Sequence, residues 1–288
     1  MIYLLVCVIS SSLIMVIFKI AGRLKLDNFN LILINYITAA GLGFLIGGLP
    51  EKDLLSASWF PMAVIIGILF FSLFFVVAAS TQKAGIAVTS VASKMSVIIP
   101  IIFSVIYFKE EVTSLKIAGF ILALASVFLT IYQRKRTGHK NAGVLIIVIP
   151  AVLFIGAGII DSLIKFTQGI IIYKQNPIVF SSVLFSISAI CGILFALIRG
   201  NQWVHLRNRK LLIFGIFLGI VNFGSLFGII KALDSELFDS SVVFGINNVG
   251  IVLLSVLIAT IFYKEKLNVT KKIGIALSII AIIVLSVI

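Results

Sequence analysis

The sequence contains the same stretch twice. Residues 106–111 read Ile-Tyr-Phe-Lys-Glu-Glu and residues 261–266 read Ile-Phe-Tyr-Lys-Glu-Lys, and the alignment continues without a gap through Gly119 and Gly274. In each copy a short charged elbow joins two apolar runs. One copy lies just before the middle of the chain and the other at its end, so the chain is predicted to consist of two halves built to one plan.

The composition restricts the chain to membranes. Hydrophobic residues make up 61% of the sequence and charged residues 11%, with a mean hydropathy of +1.26. Soluble globular domains carry about 25% charged residues. The apolar residues also occur in runs of about 20, the length that a helix needs to cross a hydrocarbon core of about 30 Å. The sequence therefore predicts a polytopic membrane protein.

Polar breaks divide the chain into ten apolar runs, each predicted to be a transmembrane helix because a closed barrel would show short alternating segments. The predicted spans are 2–20, 30–49, 60–81, 86–107, 114–133, 144–165, 177–198, 211–231, 240–262 and 268–287. Five spans form a first repeat, 1–133, and five form a second, 144–288, after a basic linker, 134–143. Because five is odd, the second repeat enters the membrane from the opposite side, and the repeats are predicted to be inverted about an in-plane two-fold axis.

The net charge of +13 is interpreted as membrane topology. Most Lys and Arg residues lie in short loops, where they contact anionic lipid headgroups, so nucleic acid is not an expected partner. The loops after odd-numbered spans are the basic ones, which places both termini outside the cytoplasm by the positive-inside rule. The expected location is the inner (cell) membrane, crossed many times.

The elbows carry a family resemblance. The pairs Lys109-Glu110 and Lys264-Glu265, each followed by a glycine-bearing apolar helix at the end of a five-span half, and Pro100 in span four resemble the EamA-like branch of the drug/metabolite transporter superfamily. Ser255 replaces the proline in the second copy. The resemblance implies ten helices in inverted repeats around a central cavity and transport of metabolites by alternating access; it implies no particular substrate.

Lys94 is the charge that lies deepest in a predicted span. It comes about eight residues into span four, roughly 12 Å from its start at 1.5 Å per residue. Either its ammonium faces a cavity and meets a substrate carboxylate or phosphate, or the span begins later and the side chain reaches the headgroups. On the first interpretation the cavity is net positive. Pro100, further along the same span, is predicted to kink the helix.

Asp161 is an acid within span six. Lys165 follows at i+4, so the two side chains share a helix face, and this spacing favours a local ion pair. The alternative is that Asp161 and Lys165 couple transport to a proton or another cation.

Amides and hydroxyls in other spans are candidates for substrate binding. In the repeat alignment Asn248 corresponds to Ser93, and Val249 corresponds to Lys94. The two related helices thus carry polar groups at the same depth, where inverted-repeat transporters bind substrate. The remaining candidates are Asn35, Tyr36, Asn222 and Asn247. The alternative role of the asparagines is to hydrogen-bond between helices and hold the bundle together.

Other polar residues receive structural interpretations. Lys19 and Lys83, at span ends, are interpreted as interfacial anchors, and the Lys264-Glu265 pair as a tight turn at the membrane surface. Cys7 and Cys191 are interpreted as small apolar residues. No metal site and no cofactor are expected, because the two histidines lie in basic loops.

These features favour a secondary active transporter over an enzyme. The sequence has no glycine-rich phosphate-binding loop, so the energy is expected to come from a gradient. The predicted function is export of a small metabolite, such as an amino acid or an organic anion. The alternative is an intramembrane lipid-modifying enzyme, for which the acids and histidines are few. Expected partners are the substrate and membrane lipids, with the chain a monomer or a weak dimer.

Overall fold

The computed structural model describes residues 1–50, 54–107, 113–131, 140–170, 177–199, 208–234 and 240–286. Within these ranges the regular structure is helical. A short 3-10 turn, Leu54–Ser56, precedes the third helix. The α-helices are α1 Ile2–Arg23, α2 Asn28–Gly47, α3 Phe60–Lys83, α4 Ile86–Met95, α5 Ile98–Tyr107, α6 Ser114–Ile131, α7 Lys140–Ile170, α8 Pro177–Arg199, α9 Arg209–Asp234, α10 Ser240–Ile261 and α11 Val269–Ser286.

Seven helical segments of the described residues are long and apolar enough to cross a membrane, with α4 and α5 taken together as one segment from Ile86 to Tyr107. Residues 117–131 and 246–261 add two shorter apolar helices. Many apolar side chains are exposed on the outside of the bundle, as expected where a helix faces lipid. The chain is a multi-pass helical membrane protein.

Short polar side chains start several of the helices. Asp27 caps α2 by accepting a hydrogen bond from the Asn30 N–H at 3.0 Å. Asn268 accepts from the Lys271 N–H at 2.9 Å at the start of α11. Asn208 does the same for the Lys210 N–H at 3.0 Å, just before α9. Each cap satisfies a backbone donor that the first helical turn leaves free.

Span four is not one continuous helix. The chain makes a turn at Ser96 and Val97, between α4 and α5. The turn lies four residues before Pro100, whose ring has no N–H to donate and collides with the carbonyl one turn earlier. The Ser96 carbonyl instead accepts from the Ile99 N–H at 2.9 Å, a tighter 3-10 contact. The sequence predicted a kink here; the structure has two helices separated by a two-residue turn.

Helix α7 begins at Lys140, inside the stretch that the sequence assigned to the linker 134–143. It also continues to Ile170, beyond the predicted end of span six at 165. The sequence boundaries followed hydropathy, which marks where the hydrocarbon ends. Polar residues such as Lys140 and Asn141 continue the helix into the interface, so the helix is longer than the apolar run.

Helix contacts recur between the two halves of the chain. The first half contains α1, α2, α3, α4–α5 and α6, which correspond in this order to α7, α8, α9, α10 and α11 of the second half. In this correspondence, the contact between α1 and α9 matches the contact between α7 and α3. The contact of α2 with α9 corresponds to α3 with α8, and α1 with α10 corresponds to α4 and α5 with α7. Three further contacts join equivalent helices: α2 with α8, α4 with α10, and α6 with α11.

The crossing of α6 and α11 repeats at the level of single residues. Gly119 on α6 lies against Leu285 on α11, and Gly274 on α11 lies against Thr130 on α6. A shift of 155 residues, the separation of the two elbows, converts Gly119 into Gly274 and Thr130 into Leu285. Each contact is therefore the image of the other, which is the pattern of a two-fold relation between the two helices.

Candidate functional site

Lys94 lies in the last turn of α4, immediately before the break in span four. Its side chain is half-buried. Its charge acts on Asp161 of α7 and on Cys7 of α1, so the ammonium lies among three helices of the bundle. Helix α4 packs against α1, α7 and α10, which agrees with that central position.

Asp161 lies on α7 with an exposed side chain, and the charge of Lys94 acts on its carboxyl group. Among the described side chains, neither Asp161 nor Lys94 has an ion pair within 4.0 Å or a side-chain hydrogen bond. The two opposite charges thus lie in one region, and neither group is paired with another described side chain.

The predicted pair of Asp161 with Lys165 lies outside the described side chains, because α7 is described at Lys165 only as backbone. The structure instead relates Asp161 to Lys94, a residue 67 positions earlier that α4 brings close by packing against α7. Sequence spacing on a single helix could not show this relation.

A polar seam on α1 forms a second part of the central region. Ser11 lies 2.5 Å from Ser225 of α9, between the hydroxyl oxygens, and the Cys7 sulfur lies 4.0 Å from each of these oxygens. Further along α1, the Ser255 hydroxyl of α10 donates to Ser12 at 3.4 Å. Cys7 was interpreted as an apolar residue, but its thiol belongs to this seam. The run Ser10-Ser11-Ser12 inside an apolar span was the available signal.

Asn35, Tyr36 and Asn222 lie in the packed region between α2, α3 and α9. Tyr36 is fully buried and its hydroxyl donates to the Phe70 carbonyl at 2.8 Å. With its amide turned to suit its neighbours, Asn35 donates to the Leu218 carbonyl at 3.2 Å and lies 3.1 Å from the side-chain nitrogen of Asn222. These contacts are those of interhelical hydrogen bonding, the alternative role considered for these residues.

Asn247 and Asn248 are neighbours on α10 with different surroundings. Asn248 is half-buried. Asn247 is buried, and among the described residues its Oδ1 has no hydrogen-bond partner. A buried acceptor of this kind calls for a water molecule or a ligand. Because α10 contacts α4 and α1, these amides belong to the helices that surround Lys94.

A second polar cluster, named here the clamp, lies where α1 and α3 end and α4 begins. Glu265, in the elbow between α10 and α11, forms an ion pair with Lys19 of α1 at 3.2 Å through Oε1. The same oxygen accepts from the Ile86 N–H, the first of α4, at 3.0 Å. Lys19 also donates to the Thr81 carbonyl of α3 at 3.3 Å. The clamp therefore joins three helices of the first half to the second elbow.

The sequence missed the clamp. Lys19 was interpreted as an interfacial anchor and Glu265 as part of a surface turn. Glu265 does lie in the turn between α10 and α11, but neither interpretation included the ion pair, in which the two side chains are 19% and 15% exposed. The anchor interpretation assumed that a charge near a span end reaches for water. The repeated Lys-Glu elbow was the available signal, since it kept a carboxylate at one position in both copies.

Aromatic and basic groups surround the clamp. The Arg23 guanidinium lies 4.5 Å from the ring centre of Tyr263, a second link between α1 and the elbow. Burial raises the pKa of Tyr263, with Glu265 adding to the effect and Arg23 opposing it, so the ring is a neutral partner for the cation. A surface cavity of about 180 Å³ lies beside the clamp and is lined by Lys19, Lys83, Val88, Glu265, Lys266 and Lys271, among others.

No group of three or more His, Cys, Asp or Glu side chains among the described residues is close enough to hold a metal ion. Of the predicted site residues, the structure brings Lys94 and Asp161 together, with Asn247 and Asn248 on an adjoining helix. It places Asn35, Tyr36 and Asn222 in one packed cluster. Their assignment to substrate binding stays a prediction.

The fold and the site define a class: a polytopic helical membrane protein with opposite charges on two helices, Lys94 on α4 and Asp161 on α7. Residues 1–132 match the EamA-like transporter family, which belongs to the drug/metabolite transporter superfamily, and the resemblance inferred from the sequence is thereby confirmed for the first half. An uncharacterized protein of Haemophilus influenzae is 27% identical over 290 residues, covering 97% of this chain and 95% of that protein.

A solved crystal structure is similar along nearly the whole chain. It superposes with a TM-score of 0.63 at 14% identity, covering 98% of this chain and 94% of the other. Identity this low relates the folds alone. The similarity nonetheless extends through both halves, whereas the family match covers the first.

Proposed function

We propose that the protein is a secondary transporter of a small metabolite that carries a carboxylate or phosphate, with Lys94 as the main binding charge. The observation that carries the proposal is that the charge of Lys94, at the end of α4, acts on Asp161 of α7 while neither residue forms an ion pair within 4.0 Å among the described side chains. Discontinuous helices form the substrate sites of many inverted-repeat transporters, because a break frees backbone groups at mid-depth. The family match over residues 1–132 supports a transport function.

The pair of charges favours particular substrates. A substrate anion relieves the cost of an ammonium held away from bulk water. Asp161 can accept the ammonium of the same molecule, so amino acids fit better than simple organic anions. The unpartnered Oδ1 of Asn247 offers one further acceptor on an adjoining helix.

The mechanism proposed is alternating access between two inverted repeats, residues 1–133 and 144–288. The reciprocal glycine contacts of α6 with α11 and the matching helix pairs support a two-fold relation between the halves. The odd number of spans predicted in each half makes that axis lie in the membrane plane. Rocking of one half against the other would expose Lys94 to each side in turn. Export from the cytoplasm across the inner membrane, by a monomer or weak dimer, completes the proposal.

Ligand-dependent thermal shift of the purified protein tests the proposal, followed by uptake into proteoliposomes. Amino acids, organic anions and phosphorylated metabolites should raise the melting temperature more than organic cations do. Lys94→Ala should abolish the shift by anionic ligands and leave the fold intact, because it removes a charge that is costly to bury. Lys94→Arg should weaken binding without abolishing it.

Lys83→Ala is the matched control, since Lys83 is exposed at the end of α3 and is a charge of the same sign. Its ligand response should equal that of the unmodified protein. Unchanged ligand binding in Lys94→Ala, or a clear preference for cationic compounds, would contradict the proposal and make Asp161 the primary site.

A further inference from the structure

The helix that carries Lys94 is a separate unit with a pivot at each end. At its start, Gly85 has a φ of +104°, a left-handed conformation that strongly favours glycine. At its end, the chain turns at Ser96 and Val97 before α5 begins. Helix α4 is therefore a ten-residue segment, Ile86–Met95, bounded by a glycine at one end and a turn at the other.

The clamp holds the first residue of this segment. Glu265 accepts a hydrogen bond from the Ile86 N–H, and its carboxyl group lies so close to Gly85 that a side chain at residue 85 would displace it. Lys19 neutralises the same carboxylate. The position of α4 is thus set by a residue of the second half, while Lys19 and the Thr81 carbonyl keep that residue against the first half.

Two of these links join the halves at one end of the bundle, Glu265 with Lys19 and Glu265 with the Ile86 N–H, and both must break if the halves separate there. Glu265 is the common partner of α1 and α4, so its release frees both helices at once. Because Ile86 and Lys94 belong to the same short helix, a movement of Lys94 toward a bound substrate is transmitted to the clamp. The ion pair is largely shielded from water, so its loss changes the population of the closed state measurably.

We propose that the clamp of Glu265 with Lys19 and the start of α4 is the closed gate at this membrane end, and that displacement of α4 opens it. The inference rests on the proposed transport function, and it adds the control of access to the Lys94 site. The position of α4 then determines both substrate binding at Lys94 and whether the clamp is closed.

The test measures access and needs no substrate. A single cysteine is placed at Val88, a buried residue of α4 beside the clamp, in a chain whose Cys7 and Cys191 are replaced by alanine. Membrane vesicles of each orientation are treated with a membrane-impermeant maleimide, and the labelling rate is compared among variants. Glu265→Gln keeps an acceptor for the Ile86 N–H and removes the ion pair, and Lys19→Met removes the other charge at similar length.

Both variants should raise the labelling rate of residue 88 from the clamp side by about tenfold or more, the change expected for loss of a charged, shielded hydrogen bond. Lys83→Met, which removes an exposed lysine lining the same cavity, should leave the rate unchanged. A second reporter, Ala78→Cys in the core of α3, separates opening from unfolding, because Ala78 is fully buried.

Equal labelling of residue 88 in all variants would overturn the gate, and so would a rise in Lys83→Met as large as in Glu265→Gln. A matching rise at residue 78 would show that the clamp only stabilises the fold, which also overturns the gate. Failure of the transport proposal would appear differently, as absence of ligand binding in the unmodified protein with the labelling pattern intact.

Discussion

Span four and helix α10 are equivalent in the repeat, yet they fold differently. In the first copy Pro100 is preceded by a break at Ser96 and Val97, and the segment becomes α4 and α5. In the second copy Ser255 takes the place of Pro100, and α10 runs without interruption from Ser240 to Ile261. The proline, which has no N–H to donate, is one difference between the copies that lies close to the break.

The difference coincides with the difference in charge. The broken copy carries Lys94 in its last turn before the break, whereas the continuous copy carries Val249 at that position and Asn248 beside it. The clamp is likewise attached to the broken copy, through Ile86. When two repeats have the same architecture, a functional element is expected at the position where one repeat departs from the other.

The largest effect is expected from forcing the second copy to resemble the first. Ser255→Pro should destabilise the protein by about 3 kcal/mol, because a proline inside α10 removes one helical hydrogen bond and collides with the preceding turn. Ser255 is fully buried against α1, so the helix has little room to bend. Thermal melting in detergent measures the loss.

Ser255→Ala is the control for Ser255→Pro, since it removes the hydroxyl and keeps the backbone donor. It should melt close to the unmodified protein. Equal melting of the proline and alanine variants would mean that α10 tolerates a break, and the contrast between the copies would then not depend on proline.

The next effect concerns the position of the lysine. Lys94→Val should weaken binding of an anionic ligand by about 100-fold, the loss expected for a charged hydrogen bond worth roughly 2–3 kcal/mol. Adding Val249→Lys should not restore it, because Asp161 lies on α7, which packs against α4 and α5. Calorimetric or thermal-shift titration of the single and double variants with the anionic ligand measures the two affinities. Full recovery in the double variant would show that depth in the membrane is sufficient and that the broken helix is not needed.

A smaller effect separates the two repeat glycines. At Gly274 a methyl group would meet the backbone of α6, 2.8 Å from the Thr130 nitrogen and 2.9 Å from the Ser126 oxygen. At Gly119 it would meet the side chain of Leu285, which can rotate away. Gly274→Ala should therefore cost about 1–3 kcal/mol of stability, as overpacking does. Gly119→Ala should cost no more than about 1 kcal/mol, the price of an off-rotamer leucine.

Thermal melting of the two alanine variants, each compared with the unmodified protein, measures this difference. Equal losses would indicate that the crossing of α6 and α11 is more symmetric than the contacts imply. A larger loss at Gly119 would contradict the assignment of Leu285 as the yielding neighbour.

Much of the fold followed from the sequence, because hydropathy and repetition are properties of the chain alone. The described helices fall on the predicted spans, and Gly119 and Gly274 occupy equivalent places in the crossing of α6 with α11. Helix ends were less accurate, as at Lys140, since the hydrocarbon boundary and the helix boundary differ. The inverted relation of the halves stays a prediction.

The site was less predictable, because it depends on which helices meet. Lys94 could be identified from its depth, but its relation to Asp161 depends on the packing of α4 against α7. The sequence could not show which asparagines face a cavity and which hold helices together, because the residue type is the same in both roles. Asn35 differs from Asn247 in having a hydrogen-bond partner, the Leu218 carbonyl. The clamp was missed because its two charges are far apart in the chain.

The smallest effect expected is at the second elbow itself. Lys264 has a φ of 49°, a left-handed conformation that costs a residue with a side chain about 1–2 kcal/mol and costs glycine almost nothing. Glycine adds flexibility to the unfolded chain, which offsets about 0.5–1 kcal/mol of this gain. Lys264→Gly should therefore stabilise the protein by about 0.5–1 kcal/mol, visible as a small rise in melting temperature. Lys264→Ala removes the same charge without relieving the backbone, so it should show no rise. Stabilisation by Lys264→Ala as large as by Lys264→Gly would assign the effect to the charge and contradict the assignment to the backbone.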